Sequence, residues 1–253
     1  MSTEVALDEL SERRERVFLV LAGFFLCAMT LLNVIGLTRF VQLGPLAVAV
    51  GVLPYPLTFL CTDLISELYG KRRANFLVSV GLLLNAFILL VMWIAQALPS
   101  ADPAAPWQAL ELANDVFLPN GDTLSGSIEL FSLIYACTSG AVFASMLAYI
   151  AAQYCDVQFF HLLKKLTKGK HLWFRNNLST LLSQGVDSII VITVTFGAAF
   201  LRGDQTLKAL LVLMFANYAF KALAALIDTI PLYFLVARLR RYLKLEDPST
   251  THA

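Results

Sequence analysis

The chain has 253 residues, of which 58% are hydrophobic and 15% charged, with 19 Lys and Arg against 18 Asp and Glu. A mean hydropathy of +0.71 is more apolar character than one water-soluble core can enclose, so composition excludes an ordinary soluble domain and points to the bilayer. The formal charge of +1 is split among short clusters, which also excludes a nucleic-acid-binding surface.

Crossing a hydrocarbon core of about 30 Å takes about twenty predominantly apolar residues in a helix. Six stretches meet this criterion: 17–38, 43–62 with a polar extension to 69, 76–98, 128–152, 178–201 and 207–237. The predicted fold class is therefore an all-α integral membrane protein of six transmembrane helices. Residues 1–16 read as a tail-like N-terminal extension, 17–241 as one membrane transport domain and 242–253 as a C-terminal tail. The first span is too long for the apolar region of a signal peptide and no small-residue cleavage pattern follows it, so it is read as a retained helix.

Four clusters hold most of the basic residues: Arg13, Arg14 and Arg16; Lys71, Arg72 and Arg73; Lys164, Lys165, Lys168, Lys170 and Arg175; Arg238, Arg240, Arg241 and Lys244. Alternate threading of six spans puts all four on one side, and the positive-inside rule makes that side the cytoplasm, with both termini there. The opposite side carries Arg39, Arg202, Lys208 and a loop, 99–127, holding Asp102, Glu111, Asp115 and Asp122. The segment 156–177 mixes Phe159, Phe160, Leu162, Leu163 and Leu166 with lysines, and is expected to lie along the membrane surface as a short amphipathic helix.

Cys27, Cys61, Cys137 and Cys155 form no CxxC pair and read as buried thiols. His161, His171 and His252 fall in the cytoplasmic loop and tail, so neither a metal centre nor a cofactor is expected, and no nucleotide-binding or hydrolase motif occurs. No catalytic residue is assigned.

Polar groups inside the spans carry the functional signal, because an ionised side chain at mid-bilayer costs about 2.5–3.5 kcal/mol on insertion scales and must face inward. In the second span Pro54 and Pro56 interrupt the helix, and a half-helix restarting there puts Asp63 and Glu67 one turn apart on one face. Broken helices recur at transporter sites; pairing of both acids with Lys71 and Arg72 at the interface is the plainer alternative. In the fifth span Asn177, Thr180, Gln184, Asp187 and Ser188 gather on one side, leaving Leu181, Leu182, Val186, Ile189 and Ile190 for lipid or packing. In the sixth, Asn217, Lys221 and Asp228 share a face. Lys221 and Asp228 are two turns apart, too far for an ion pair along one helix, so Lys221 is expected to meet an acid from another helix, Asp187 first. A purely structural buried pair is the competing reading. Asn85 and Asn33, with Tyr149, Gln153 and Asp156, add weaker inward signals.

The stretches PYPLTFLCTDLISELYGKRRA (54–74), DVQFFHLLKKLTKGKHLWFRNNLSTLLSQGVDS (156–188) and LIDTIPLYF (226–234) closely resemble the queuosine precursor transporter family, also called the vitamin uptake transporter family. The similarity runs from about Val17 to Arg241 and omits the N-terminal extension and the outer loop. The resemblance implies a multi-pass protein of the bacterial inner membrane that imports 7-cyano-7-deazaguanine and 7-aminomethyl-7-deazaguanine for salvage into tRNA queuosine. Such a base presents N1–H and a 2-amino group side by side, which a carboxylate accepts through two parallel hydrogen bonds, and a 6-oxo group that takes an amide donor. Asp63 with Glu67 offers the carboxylate, Asp187 with Gln184 and Asn177 offers a carboxylate with amides, and Tyr55, Phe59 or Tyr149 offers a ring for stacking. The implied partners are this small molecule and membrane lipid, with no nucleic acid and with homo-oligomerisation open. Two other readings stand beside it: the substrate-binding membrane subunit of a multi-protein vitamin or nucleobase importer, and an intramembrane enzyme.

Overall fold

The computed structural model describes residues 2–36, 38–44, 46–99, 107–118, 122–167 and 172–245. Its helices are α1 (Ser2–Val34), α2 (Tyr55–Tyr69), α3 (Lys71–Ala97), α4 (Leu130–Leu166), α5 (Leu172–Leu201) and α6 (Leu207–Tyr242). All but α2 are long and apolar enough to cross a membrane. At 1.5 Å per residue the 15 residues of α2 reach only about 22 Å, short of a hydrocarbon core of about 30 Å. The stretch expected to be a tail is helical from Ser2 and forms the first turns of α1.

The second span departs furthest from expectation. Its first half is an antiparallel hairpin, β1 (Phe40–Leu43) with β2 (Leu46–Ala49), in which Phe40 faces Ala49 and Leu43 faces Leu46. A 3₁₀ turn, Val50–Val52, then leads into α2. The prolines therefore do not interrupt a helix. They begin one, with Pro54 at the N-cap and Pro56 in the first turn, where a missing N–H costs nothing. Upstream, Val41 and Val48 favour extended backbone, and Gly44 takes the positive φ of 60° that the turn requires.

Two short ribbons occupy the connection between α3 and α4, β3 (Ala109–Glu111) with β6 (Ser127–Glu129) and β4 (Val116–Phe117) with β5 (Thr123–Leu124), so the described residues are not all α. The amphipathic segment is not a separate surface helix. No Gly or Pro lies between Ala141 and Thr167, nothing stops α4, and it runs through to Leu166 over 37 residues, about 55 Å. α5 packs against it, helped by a row of small buried residues on α4, Ala144, Ala148 and Ala152. Of the four free thiols only Cys61 is buried and Cys27 is exposed.

The chain divides into two compact units. The first comprises Met1–Leu31, Leu53–Leu83 and Leu223–Ala253. Its core joins Ala22 and Phe25 of α1, Cys61 and Ile65 of α2, and Ala74 and Leu77 of α3. A single residue, Gly70, connects α2 to α3. It has φ +85° and ψ 158°, its N–H closes α2 on the Ser66 carbonyl at 3.0 Å, and its own carbonyl accepts from Arg73 and Ala74. The second unit comprises Leu32–Val52 and Leu84–Ala222. There Val48 and Val52 pack with Ala216, while Ile192 and Phe196 pack with Leu210, Leu213 and Met214, so α5 and α6 run antiparallel. Large apolar side chains stand exposed along α6, among them Leu223, Leu226, Ile227, Ile230 and Phe234. In water such a stripe would be an aggregation hazard; in a bilayer it is the lipid face.

Candidate functional site

In the second unit, α5 and α6 meet through a buried ion pair. Lys221 Nζ donates to Asp187 Oδ2, and both residues are almost wholly excluded from solvent, at 2% and 6% exposure. The partner expected for Lys221 is thus the one it has. Phe196 with Leu210 and Asp187 with Lys221 set an antiparallel register, in which Ser188 and Asn217 both lie on the side of the pair toward the α5–α6 loop. Gln184 lies about one turn from the pair in the other direction.

Three groups around this pair have buried polar atoms with no hydrogen-bond partner among the described residues: Gln184 Oε1, Ser188 Oγ and Asn217 Nδ2. Each such atom costs about 1–3 kcal/mol if left unmet. Together the set offers a carboxylate and an amide oxygen as acceptors, an amide nitrogen as donor, and a hydroxyl that serves as either. A planar ligand with two donors beside an acceptor would complete it.

The same unit holds a second polar contact. Asn33 Nδ2 of α1 donates to Asn85 Oδ1 of α3 at 3.0 Å, both residues buried, and Thr138 Oγ1 donates to the Val34 carbonyl at 3.2 Å. Tyr149 is half-buried on α4. The side chains of Asn177, Gln153, Asp156 and His161, and all of His171 and His252, lie outside the described residues.

The other expected residues belong to the first unit. Asp63 is exposed on α2 and has no ion-pair partner among the described residues, although Asp228 of α6 lies within electrostatic range of it. Asp228 Oδ2 is buried and unpartnered, one turn before Pro231 inside α6. Among the described residues Glu67 pairs with Arg240 near the end of α6 and not with Arg72, while the Lys71 side chain lies outside them. Tyr55 and Phe59 meet edge to face, with ring centroids 5.0 Å apart. The expected residues thus form two groups, one in each unit. Ser179 and Ser183 are more buried than Gln184 on the same helix, because the inward row of α5 follows the four-residue spacing Ser179, Ser183, Asp187. That spacing was visible in the sequence but carried by small hydroxyls, which are common packing residues in membrane helices. Among the described residues no three His, Cys, Asp or Glu side chains are placed to hold a metal ion.

Residues 49–236 match the family described as "Putative vitamin uptake transporter". A protein of Bacillus subtilis (strain 168) named "Probable queuosine precursor transporter" is 26% identical over 157 residues, covering 62% of this chain and 59% of that protein. The aligned part is therefore about three fifths of that relative's length. No solved structure matches the chain.

Proposed function

The chain belongs to the vitamin uptake transporter family, and from that premise we propose that it imports queuosine precursors, 7-cyano-7-deazaguanine and 7-aminomethyl-7-deazaguanine, across the bacterial inner membrane. Six passes with both termini in the cytoplasm complete the reading, α2 crossing together with the hairpin and 3₁₀ turn before it. The observation that carries it is the buried Asp187–Lys221 pair with unmet polar atoms on either side. In the liganded state the Asp187 carboxylate accepts from N1–H and the 2-amino group, Asn217 Nδ2 donates to the 6-oxo group, and Lys221 turns toward the Gln184 oxygen. Asp63, with Tyr55 and Phe59, supplies a second acidic and aromatic surface met by the base during passage. Transport then needs only alternate exposure of these polar faces.

Adenine tests the reading, because it presents an unprotonated N1, lacks the 2-amino group and would leave the buried acid unpaired. Guanine shares the donor edge and differs at position 7, where it presents an acceptor in place of a substituted carbon. In competition against labelled precursor, the expected order is unlabelled precursors first, guanine weaker and adenine weakest. Equal competition by adenine would remove the carboxylate-edge reading even if uptake itself were observed.

A further inference from the structure

The first unit contains a cavity of about 400 Å³ that the transport reading does not use, lined by Leu10, Ser11, Arg14, Glu15, Tyr69, Arg73 and three further leucines, Leu68, Leu243 and Leu245. Every lining residue borders an apolar span: Arg14 and Glu15 precede the apolar part of α1, Tyr69 and Arg73 flank the α2–α3 junction, and Leu243 and Leu245 follow α6. The cavity thus lies at the ends of apolar helices. Its lining combines leucines with two guanidinium groups.

The arginines are held in place yet not used up. Arg14 directs Nε and Nη2 to the Leu243 carbonyl at 3.4 and 3.3 Å, and its Nη1 has no hydrogen bond among the described residues. Arg73 Nη1 pairs with Glu15 at 2.9 Å while its guanidinium lies over the Phe18 and Tyr69 rings at 5.2 and 5.6 Å, which leaves Nε and Nη2 available. Glu15 offsets one of the two cations, so the lining keeps net positive charge. Tyr69 adds none of the opposite sign. Its hydroxyl donates to the Arg14 carbonyl at 2.8 Å.

We propose that this cavity binds the phosphate headgroup of an anionic phospholipid, with Arg14 and Arg73 on the phosphate and an acyl chain along Leu10, Leu68 and Leu245. A planar guanidinium with spare N–H groups suits phosphate oxygens, and basic pockets at helix ends are where anionic headgroups are held. Four leucines in the lining favour a lipid over free phosphate, which has nothing to place against them. Bound there, one lipid joins α1, the α2–α3 junction and the end of α6.

The test uses the full chain purified in uncharged detergent, titrated with phosphatidylglycerol, with phosphatidylcholine and with inorganic phosphate, reading bound lipid by native mass spectrometry and unfolding temperature in parallel. Phosphatidylglycerol should bind saturably and raise the unfolding temperature, the other two should not, and Arg73→Gln should weaken the binding about five-fold. Ser11→Glu adds a negative charge at an exposed position without touching the arginine contacts, so it should weaken phosphatidylglycerol binding as much while the fold is kept. Equal binding of phosphatidylcholine, an equal shift by phosphate alone, or unchanged binding in Ser11→Glu would each overturn the proposal. None of these readings depends on what the protein transports.

Discussion

Asp187 and Asp63 are both acids within apolar sequence, yet they differ in what their loss leaves behind. Removing the Asp187 charge takes the paired carboxylate from Lys221 in a buried site, and breaking such a pair costs about 3–5 kcal/mol. Asp187→Asn should therefore lower the amount of folded protein in the membrane as well as uptake. The double variant Asp187→Asn with Lys221→Gln should restore the folded amount and still fail to transport; a double variant that transports normally would show the pair to be structural. Asp63 has no ion-pair partner among the described residues, so Asp63→Asn should leave expression near normal while weakening substrate affinity about 5-fold to 150-fold, for a lost contact of about 1–3 kcal/mol. Wild-type uptake by that variant would remove Asp63 from the site. The Asp187–Lys221 contact was legible in the sequence because Lys221 had no acid within reach on its own helix. The partner of Glu67 was not, since Arg240 lies 173 residues away and nearer cations at 71 and 72 competed for the assignment.

At the level of elements, the long helices were legible because twenty apolar residues leave the backbone no other way to satisfy its hydrogen bonds in lipid. The hairpin before α2 was not: a hydropathy window registers Val41 and Val48 as apolar and ignores their preference for extended backbone. That hairpin depends on a close backbone crossing. A Cβ on Gly51 would lie 2.5 Å from the Leu32 carbonyl oxygen and 2.6 Å from the Gly36 Cα, both backbone atoms that cannot rotate away. Gly51→Ala should destabilise the protein by about 1–3 kcal/mol. Gly23→Ala, in the exposed face of α1 with nothing within 4 Å, should be neutral or stabilising by up to about 1 kcal/mol. Thermal unfolding of the two variants in detergent checks the contrast, and similar unfolding temperatures would mean that the crossing is not tight.

For the whole molecule, the clustering of basic residues predicts a sidedness that can be measured without knowing the substrate. On a background freed of the native cysteines, Ser2→Cys should be shielded from a membrane-impermeant thiol reagent in intact cells, and Trp107→Cys, at an exposed position of the outer loop, should be labelled. The reverse pattern would invert the threading. The central claim is that a buried carboxylate reads the donor edge of a deazaguanine during import. Reconstitution of the purified chain into liposomes, with labelled 7-cyano-7-deazaguanine outside, tests it most directly. The expected result is saturable entry that unlabelled precursor abolishes and an equal concentration of adenine leaves nearly intact; no saturable entry, or entry that adenine suppresses as well as the precursor does, would contradict it.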